Sequence, residues 1–342
     1  MTIVAPISQR KDDHIQINLN QDVRSGIDAG FDGLTFEHQA LPEIDLADVD
    51  TSSVFLGRKL AAPILISSMT GGTDLAGQIN RNLAIAAGQA GIAMGVGSQR
   101  PALANPTSAS SFEVRKYAPN IILFANIGAI QLNNGLGVED CKKAVDMIGA
   151  DALYLHLNPL QEAVQEGGDT NWKDLRWNIE QVCHALPVPV FAKEVGHGIS
   201  QRAARILVEC GVAGIDVAGA GGTSWSQVES LRAKDPALAE IARTFRNWGV
   251  PTVQSIRNVR TAHPTLPIIA SGGLRQGLDI AKAIALGASI GGLARPFLAA
   301  AAESPEAVLK QVELVRQQLR ISMFAAGAAN LACLSQTPLL PA

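Results

Sequence analysis

Short apolar runs recur along the chain, and between most of them the apolar residues fall at three- and four-residue spacing. The runs lie at residues 64–67, 92–96, 121–125, 152–155, 187–192, 215–218 and 268–270, with an eighth leading into Gly291-Gly292. Each has the length of a strand buried on both faces, and the spacing at 76–90, 139–148, 200–209 and 278–286 predicts helices. Strands and helices in alternation predict an α/β fold. Eight buried strands narrow this to a TIM (β/α)8 barrel with an N-terminal extension. The stretch 224–266 interrupts the rhythm. It reads as inserted helices at 226–233 and 237–245, then a helix at 252–262; a strand at 251–256 would make nine and prevent closure.

The same pattern divides the chain. Residues 1–60 read as an extension capping the barrel, alternating polar and apolar over 14–22 and punctuated by Gly26, Gly30 and Gly33. Residues 61–300 carry the barrel and 301–342 the C-terminal helices. The last stretch, 321–342, has no charged residue but is Ala- and Gly-rich and ends in Pro338 and Pro341. It lacks the sustained bulk of a membrane span and reads as a final helix packed on the barrel.

Composition fits this picture. The 342 residues are 47% hydrophobic and 17% charged, which suits one large core, and the net charge of −3 gives no general attraction to nucleic acid or an anionic membrane. The four cysteines are scattered without metal-ligand spacing, and no signal peptide precedes Gln9-Arg10-Lys11. Both point to a cytoplasmic protein with reduced thiols.

Candidate chemistry sits where the apolar runs end. In a barrel these ends face one common site. They carry Ser68, Met69 and Thr70, then Ser98 and Arg100, Asn126, His156 and Asn158, Lys193 and Thr223. The last two runs each end in a Gly-Gly turn, Gly272-Gly273 with Arg275 beyond and Gly291-Gly292 with Ala294 and Arg295 beyond. Glycine turns let backbone N–H groups approach an anion, so these turns are candidates for a phosphate. The amides and hydroxyls suit the rim of a flat heterocycle such as flavin. Lys193 reads either as a Schiff-base lysine or as a cation beside a flavin, and the lack of a partner acid favours the second. His156, with Asn158, Gln161 and Glu162 close behind, is a candidate for substrate binding or proton handling. Glu162 holds Mg²⁺ only if phosphate oxygens and water complete the octahedron; otherwise it is an ordinary carboxylate.

Taken together, several motifs resemble the type 2, FMN-dependent isopentenyl diphosphate isomerases. They are Arg10-Lys11-Asp12-Asp13-His14-Ile15, Ser68-Met69-Thr70-Gly71-Gly72, Gly97-Ser98-Gln99-Arg100, His156 to Glu162, Lys193-Glu194-Val195-Gly196, Gly221-Gly222-Thr223-Ser224-Trp225 and Ala270 to Arg275. The resemblance spans residues 9–300 in the same order. It implies interconversion of isopentenyl and dimethylallyl diphosphate in isoprenoid biosynthesis, with no net redox change. Reduced FMN would be the acid/base cofactor, NADPH the reductant that prepares it, and Mg²⁺ would ride on the diphosphate. It assigns Ser68, Met69, Thr70, Ser98, Asn126, Lys193 and Thr223 to the flavin, and Gly272, Gly273, Arg275, Ala294 and Arg295 to its phosphate. Arg10, Lys11, Ser98, Arg100, His156 and Asn158 would bind the substrate, Gln161 would lie beside the reacting carbons with His156 as the other candidate for catalysis, and Glu162 would bind the metal. A homotetramer or homo-octamer is implied as well. Two positions depart from the family pattern: Asp13 stands where Glu is expected, and His197 occupies a loop expected to be less polar.

Rival readings are an FMN-dependent 2-hydroxy acid oxidase or dehydrogenase, a barrel-type nucleotide dehydrogenase, and a non-catalytic FMN-binding barrel. The loop Ala218 to Thr223 has no histidine to serve as the oxidase base. No cysteine lies between Gly211 and Cys333 to act as the dehydrogenase nucleophile.

Overall fold

In the computed structural model, which describes residues 7–342, eight parallel strands close into a barrel. In chain order they are Ile64–Ile66, Ala93–Gly95, Leu123–Gly128, Ala152–Leu157, Val190–Glu194, Gly214–Asp216, Ile268–Ala270 and Ile290–Leu293. The eighth pairs in parallel with the first, Gly291 opposite Ile64. The predicted helices are present as Asp74–Ala90, Val138–Ile148, Gln201–Glu209 and Gly277–Ala285. The disputed stretch is Trp225–Arg232, Pro236–Thr244 and Thr252–Ala262, all helical; Pro251 makes only an isolated bridge to Ala220. That leaves the strand count at eight and the barrel closed.

Alternation along each strand sorts the side chains. Ile64, Ile66, Leu123, Ala125, Val190 and Ala192 pack outward against the helices. Leu65, Phe124, Tyr154, Phe191 and Ile269 fill the interior. One step further along the odd-numbered strands, the inward positions are Ser67, Asn126, Lys193 and Ser271, all buried. The interior thus changes from apolar to hydrogen-bonding within two residues, and this polar layer is the floor of the site. At the opposite end the hairpin Ser53–Phe55/Arg58–Leu60 inserts Phe55 and Leu60 into the same interior cluster. Its turn needs φ of +47° at Leu56 and +72° at Gly57, the left-handed pair of a tight hairpin.

Two terminal segments differ from the sequence reading. The alternation at 14–22 lies largely on a helix, Ile7–Asn20, because that helix is buried on two sides at once. Ile15 packs on the main core, while Ile17 packs with Val23 and Val228 beneath Trp225–Arg232. Residues 1–6 of the proposed extension lie outside the described residues. At the other end, the charge-free stretch is not one helix. Pro305–Ala325 and Leu331–Gln336 are followed by a strand, Leu339–Pro341, which pairs antiparallel with Leu34–Phe36. Among the described residues no helix is long and apolar enough to cross a membrane.

Candidate active site

The strand ends and the helix Ile7–Asn20 enclose a cavity of about 500 Å³. Of the residues singled out at the strand ends, all but Gly291 line it. Ser68, Met69, Thr70, Ser98, Asn126, Lys193 and Thr223 form the floor and near wall. Arg10, Lys11, Arg100, His156, Asn158, Gln161 and Glu162 lie at the ends of strands two to four and on the helix above. Gly272, Gly273, Arg275, Ala294 and Arg295 lie at strands seven and eight, across the barrel.

The glycine side is built by close backbone approach. Gly272 and Gly273 have φ of +94° and +78°, and a Cβ on Gly272 would overlap the Gly219 main chain. Only glycine lets the sixth- and seventh-strand loops pack main chain to main chain. Segment Ala29–Asp32 closes over them: Lys282 donates to the Phe31 carbonyl at 2.9 Å, and Arg275 bonds Asp32 at 2.5 Å and Asp279 at 3.4 Å. The hydrogen bond to Asp32, with Asp279 adding to it, pushes the Arg275 guanidinium further above its ordinary range. Its side chain is therefore already engaged by two carboxylates beside the turn.

On the floor, the buried hydroxyls of Ser67, Ser68 and Thr70 have no hydrogen-bond partner among the described residues. Unpaired buried hydroxyls are costly, and these three belong to residues that line the cavity beside Lys193. Lys193 itself donates to the Glu194 carbonyl at 2.7 Å. Oε2 of Glu194 accepts from the amides of Val195, Gly196, His197 and Gly198, which winds the following loop around one carboxylate. His197 is buried behind this loop with Nδ1 3.7 Å from Glu194 Oε1 and does not line the cavity.

The opposite wall carries the titratable groups. His156 Nδ1 lies 2.8 Å from Asn126 Oδ1. Asn126 Nδ2 donates to the Val96 carbonyl, so Oδ1 is the acceptor and Nδ1 of neutral His156 carries the proton. Burial, then Lys11 and Lys193, push the imidazole down to about 3. It is neutral, with Nε2 free to accept. Burial, then the charges of Arg10 and Arg100, bring Lys11 down to about 8. Arg10 is lowered by burial and pushed back up by Glu162 and Glu229.

Gln161 and Glu162 share one short helix, Pro159–Val164. Glu162 Oε1 accepts from Asn158 at 2.9 Å, and its Oε2 accepts from Gln165 at 2.7 Å. It is a single carboxylate: among the described residues no cluster of three or more metal-ligating side chains exists. Asp12 of the N-terminal motif accepts from Thr73 Oγ1 at 2.7 Å, whereas Asp13 has no side-chain hydrogen bond among the described residues.

Sequence reasoning missed Glu229. It lies on Trp225–Arg232, which reads from its pattern as a mere insertion. Fully buried, it accepts from Gln161 at 3.0 Å, meets His14 Nε2 at 3.1 Å and pairs with Arg232 at 2.8 Å. Burial alone would raise its pKa, but His14, Arg232 and Gln161 overcome this and hold the carboxyl at about 2. The available signal was its helix, which begins at Trp225, the last residue of the strand-end motif Gly221 to Trp225. Asp169 was missed too, since it lies in a loop with no motif of its own.

Residues 136–340 match the FMN-dependent dehydrogenase family model. An isopentenyl-diphosphate delta-isomerase from a Nostoc species is 52% identical, the alignment covering 96% of this chain and 94% of that one. Isomerases of the same name from Oceanobacillus iheyensis and Rickettsia bellii are 50% and 51% identical, covering 97% and 94% of this chain and 95% and 94% of theirs. Among solved structures, a mandelate oxidase carrying an FMN adduct superposes with a TM-score of 0.69 at 19% identity, covering 99% of both chains. A lactate oxidase of Pediococcus acidilactici gives 0.66 at 17%, covering 96% of this chain and 86% of that one. These two share the fold. The chain belongs to the isopentenyl-diphosphate delta-isomerase family, on the barrel of the FMN-dependent dehydrogenases.

Proposed function

We propose that this chain interconverts isopentenyl and dimethylallyl diphosphate, with reduced FMN in the strand-end cavity and Mg²⁺ brought by the diphosphate. The observation that carries the reading is the pairing of two anion-suited walls across one barrel mouth. Arg10, Lys11 and Arg100 stand over strands two to four, and the glycine turns with Arg295 stand at strands seven and eight. A substrate diphosphate on the first and a cofactor phosphate on the second leave the floor for a planar ring. Gln161 and His156 then face the space between.

The reaction adds a proton to the terminal methylene carbon of isopentenyl diphosphate and removes one from C2. Reduced FMN supplies an electron-rich plane beside which developing positive charge is stabilised. The chain's own residues do the remainder. Gln161 is fixed by Glu229 and Asn158, so its amide presents one face to the substrate. An amide is a weak base, so its role is to orient a proton rather than to hold it. Glu162 offers the metal one carboxylate, and His156 and Asn158 meet the diphosphate. Lys193, Ser68 and Thr70, which line the cavity floor, would hold the ring's polar edge. NADPH acts only to reduce the flavin, and the setting is a cytoplasmic homo-oligomer, tetramer or octamer.

The test is conversion of isopentenyl diphosphate by the FMN-reconstituted protein with Mg²⁺ under reducing conditions. Formation of dimethylallyl diphosphate supports the reading. Peroxide from a 2-hydroxy acid, with no isomerisation, would replace it by the oxidase alternative.

A further inference from the structure

Three strand-end loops meet on one carboxylate oxygen. Asp169 Oδ2 accepts from Arg100 Nη1 at 3.0 Å, in the loop after strand two, and from Gln131 Nε2 at 2.8 Å, in the turn after strand three. Asp169 itself belongs to the loop after strand four. Its backbone N–H donates to Glu162 Oε2 at 2.8 Å, so the residue that pairs with Arg100 is also tied to Glu162.

The loop that carries Asp169 is closely built. Gly168 packs against the Glu162 main chain so tightly that a Cβ there would overlap the carbonyl group. Trp172 Nε1 donates to the Asp169 carbonyl at 3.2 Å, and Asn133 Nδ2 donates to the carbonyls of Asn171 and Lys173. The Asp169 side chain is spent differently, on a cation that lines the cavity. It uses only Nη1 of the Arg100 fork, and among the described residues Arg100 has no other hydrogen-bond partner. A guanidinium anchored through Nη1 keeps its Nη2 and Nε donors available to phosphate oxygens.

We propose that Asp169 is a positioning residue for diphosphate recognition: it aims Arg100 at the substrate's phosphate oxygens and keeps that cation in register with Glu162. The proposal rests on the reading of the Arg10, Lys11 and Arg100 wall as the diphosphate site. Asp169 does not touch substrate. Its negative charge costs some attraction for the anion, and the ordering of Arg100 outweighs that cost.

The test is calorimetric titration of the FMN-bound protein with inorganic pyrophosphate, with and without Mg²⁺, beside the KM and kcat for isopentenyl diphosphate. Asp169→Asn keeps an oxygen for Gln131 and removes the charge that holds Arg100. It is expected to weaken pyrophosphate binding and raise KM by about tenfold, with kcat and FMN affinity nearly unchanged. In an Arg100→Ala background the same change should have little further effect, because the partner it acts through is gone. Asp169→Ser serves if the asparagine variant does not fold. Unchanged affinity would reduce Asp169 to loop packing, and tighter binding would make it a competitor of the substrate. A loss that persists without Arg100 would place its action on Glu162; each of these overturns the proposal. Wild-type protein that binds no pyrophosphate at all would instead remove the diphosphate reading beneath it.

Discussion

Gln161 donates from Nε2 to Glu229 Oε1 at 3.0 Å, and the same oxygen lies 3.1 Å from His14 Nε2 on the N-terminal helix. A residue after strand four, one on an inserted helix and one on the extension are thus joined through a single buried carboxylate. Glu229→Gln removes the charge and lets its new amide compete with that of Gln161. It should lower kcat by about tenfold to a hundredfold, the scale of a misplaced orienting group, with FMN affinity near wild type. Steady-state rates beside fluorescence titration of FMN check this; an unchanged kcat would leave Gln161 independent of Glu229.

His156 must gain a proton to donate to a phosphate oxygen, because Asn126 holds its one proton on Nδ1. Its pKa of about 3 in the free protein makes it neutral at pH 7. Proton uptake on binding pyrophosphate at pH 7 therefore marks donation by His156, and its absence marks acceptance by the free Nε2. Calorimetry in buffers of different ionisation enthalpy measures this directly, and His156→Asn should abolish the uptake.

Lys11 trades stability for binding. Its folded pKa of about 8 lies below the ordinary 10.5, so the folded chain gives up this proton more readily than the unfolded chain. The cost is present in full below about pH 8 and is relieved as pH rises from about 8 towards 10.5, so this group's contribution to stability rises with pH across that window. Lys11→Met should raise the thermal midpoint at pH 7 and weaken pyrophosphate binding. Thermal unfolding and calorimetry on the same variant separate the two effects.

Arg275 is held by Asp32 and Asp279 beside the Gly272-Gly273 turn. Arg275→Ala should weaken FMN retention more than it changes turnover of the flavin-saturated enzyme. Dialysis half-times for FMN against kcat at saturating FMN decide this; an undiminished retention with a lowered kcat would remove Arg275 from the phosphate site.

The barrel was legible because its strands are short, apolar and buried on both faces, and because Gly291-Gly292 and Ser271-Gly272-Gly273 mark where strands end. Helix Thr252–Ala262 also followed from its pattern, although Pro251 blurs its start. The alternation at 14–22 named no element, and the helix there has Ile15 and Ile17 facing different partners, a tertiary fact no local period contains. Most of the cavity's lining was readable since those residues sit at strand ends, which barrel topology brings together, whereas Arg10 and Lys11 on the N-terminal helix were marked only by their motif. Glu229 and Asp169 were not, for they come from an inserted helix and a loop whose approach to the site depends on packing. Their links to Gln161 and Arg100 span 68 and 69 positions of the chain.

The most direct measurement is the reductant balance of turnover. Apo-protein reconstituted with FMN is given Mg²⁺, isopentenyl diphosphate and a limited amount of NADPH without oxygen, and dimethylallyl diphosphate and NADPH are followed together. An isomerase that uses reduced FMN without net redox chemistry will consume about one NADPH per flavin and then turn over many times. NADPH consumed in step with product, or full activity with oxidised FMN, would contradict it.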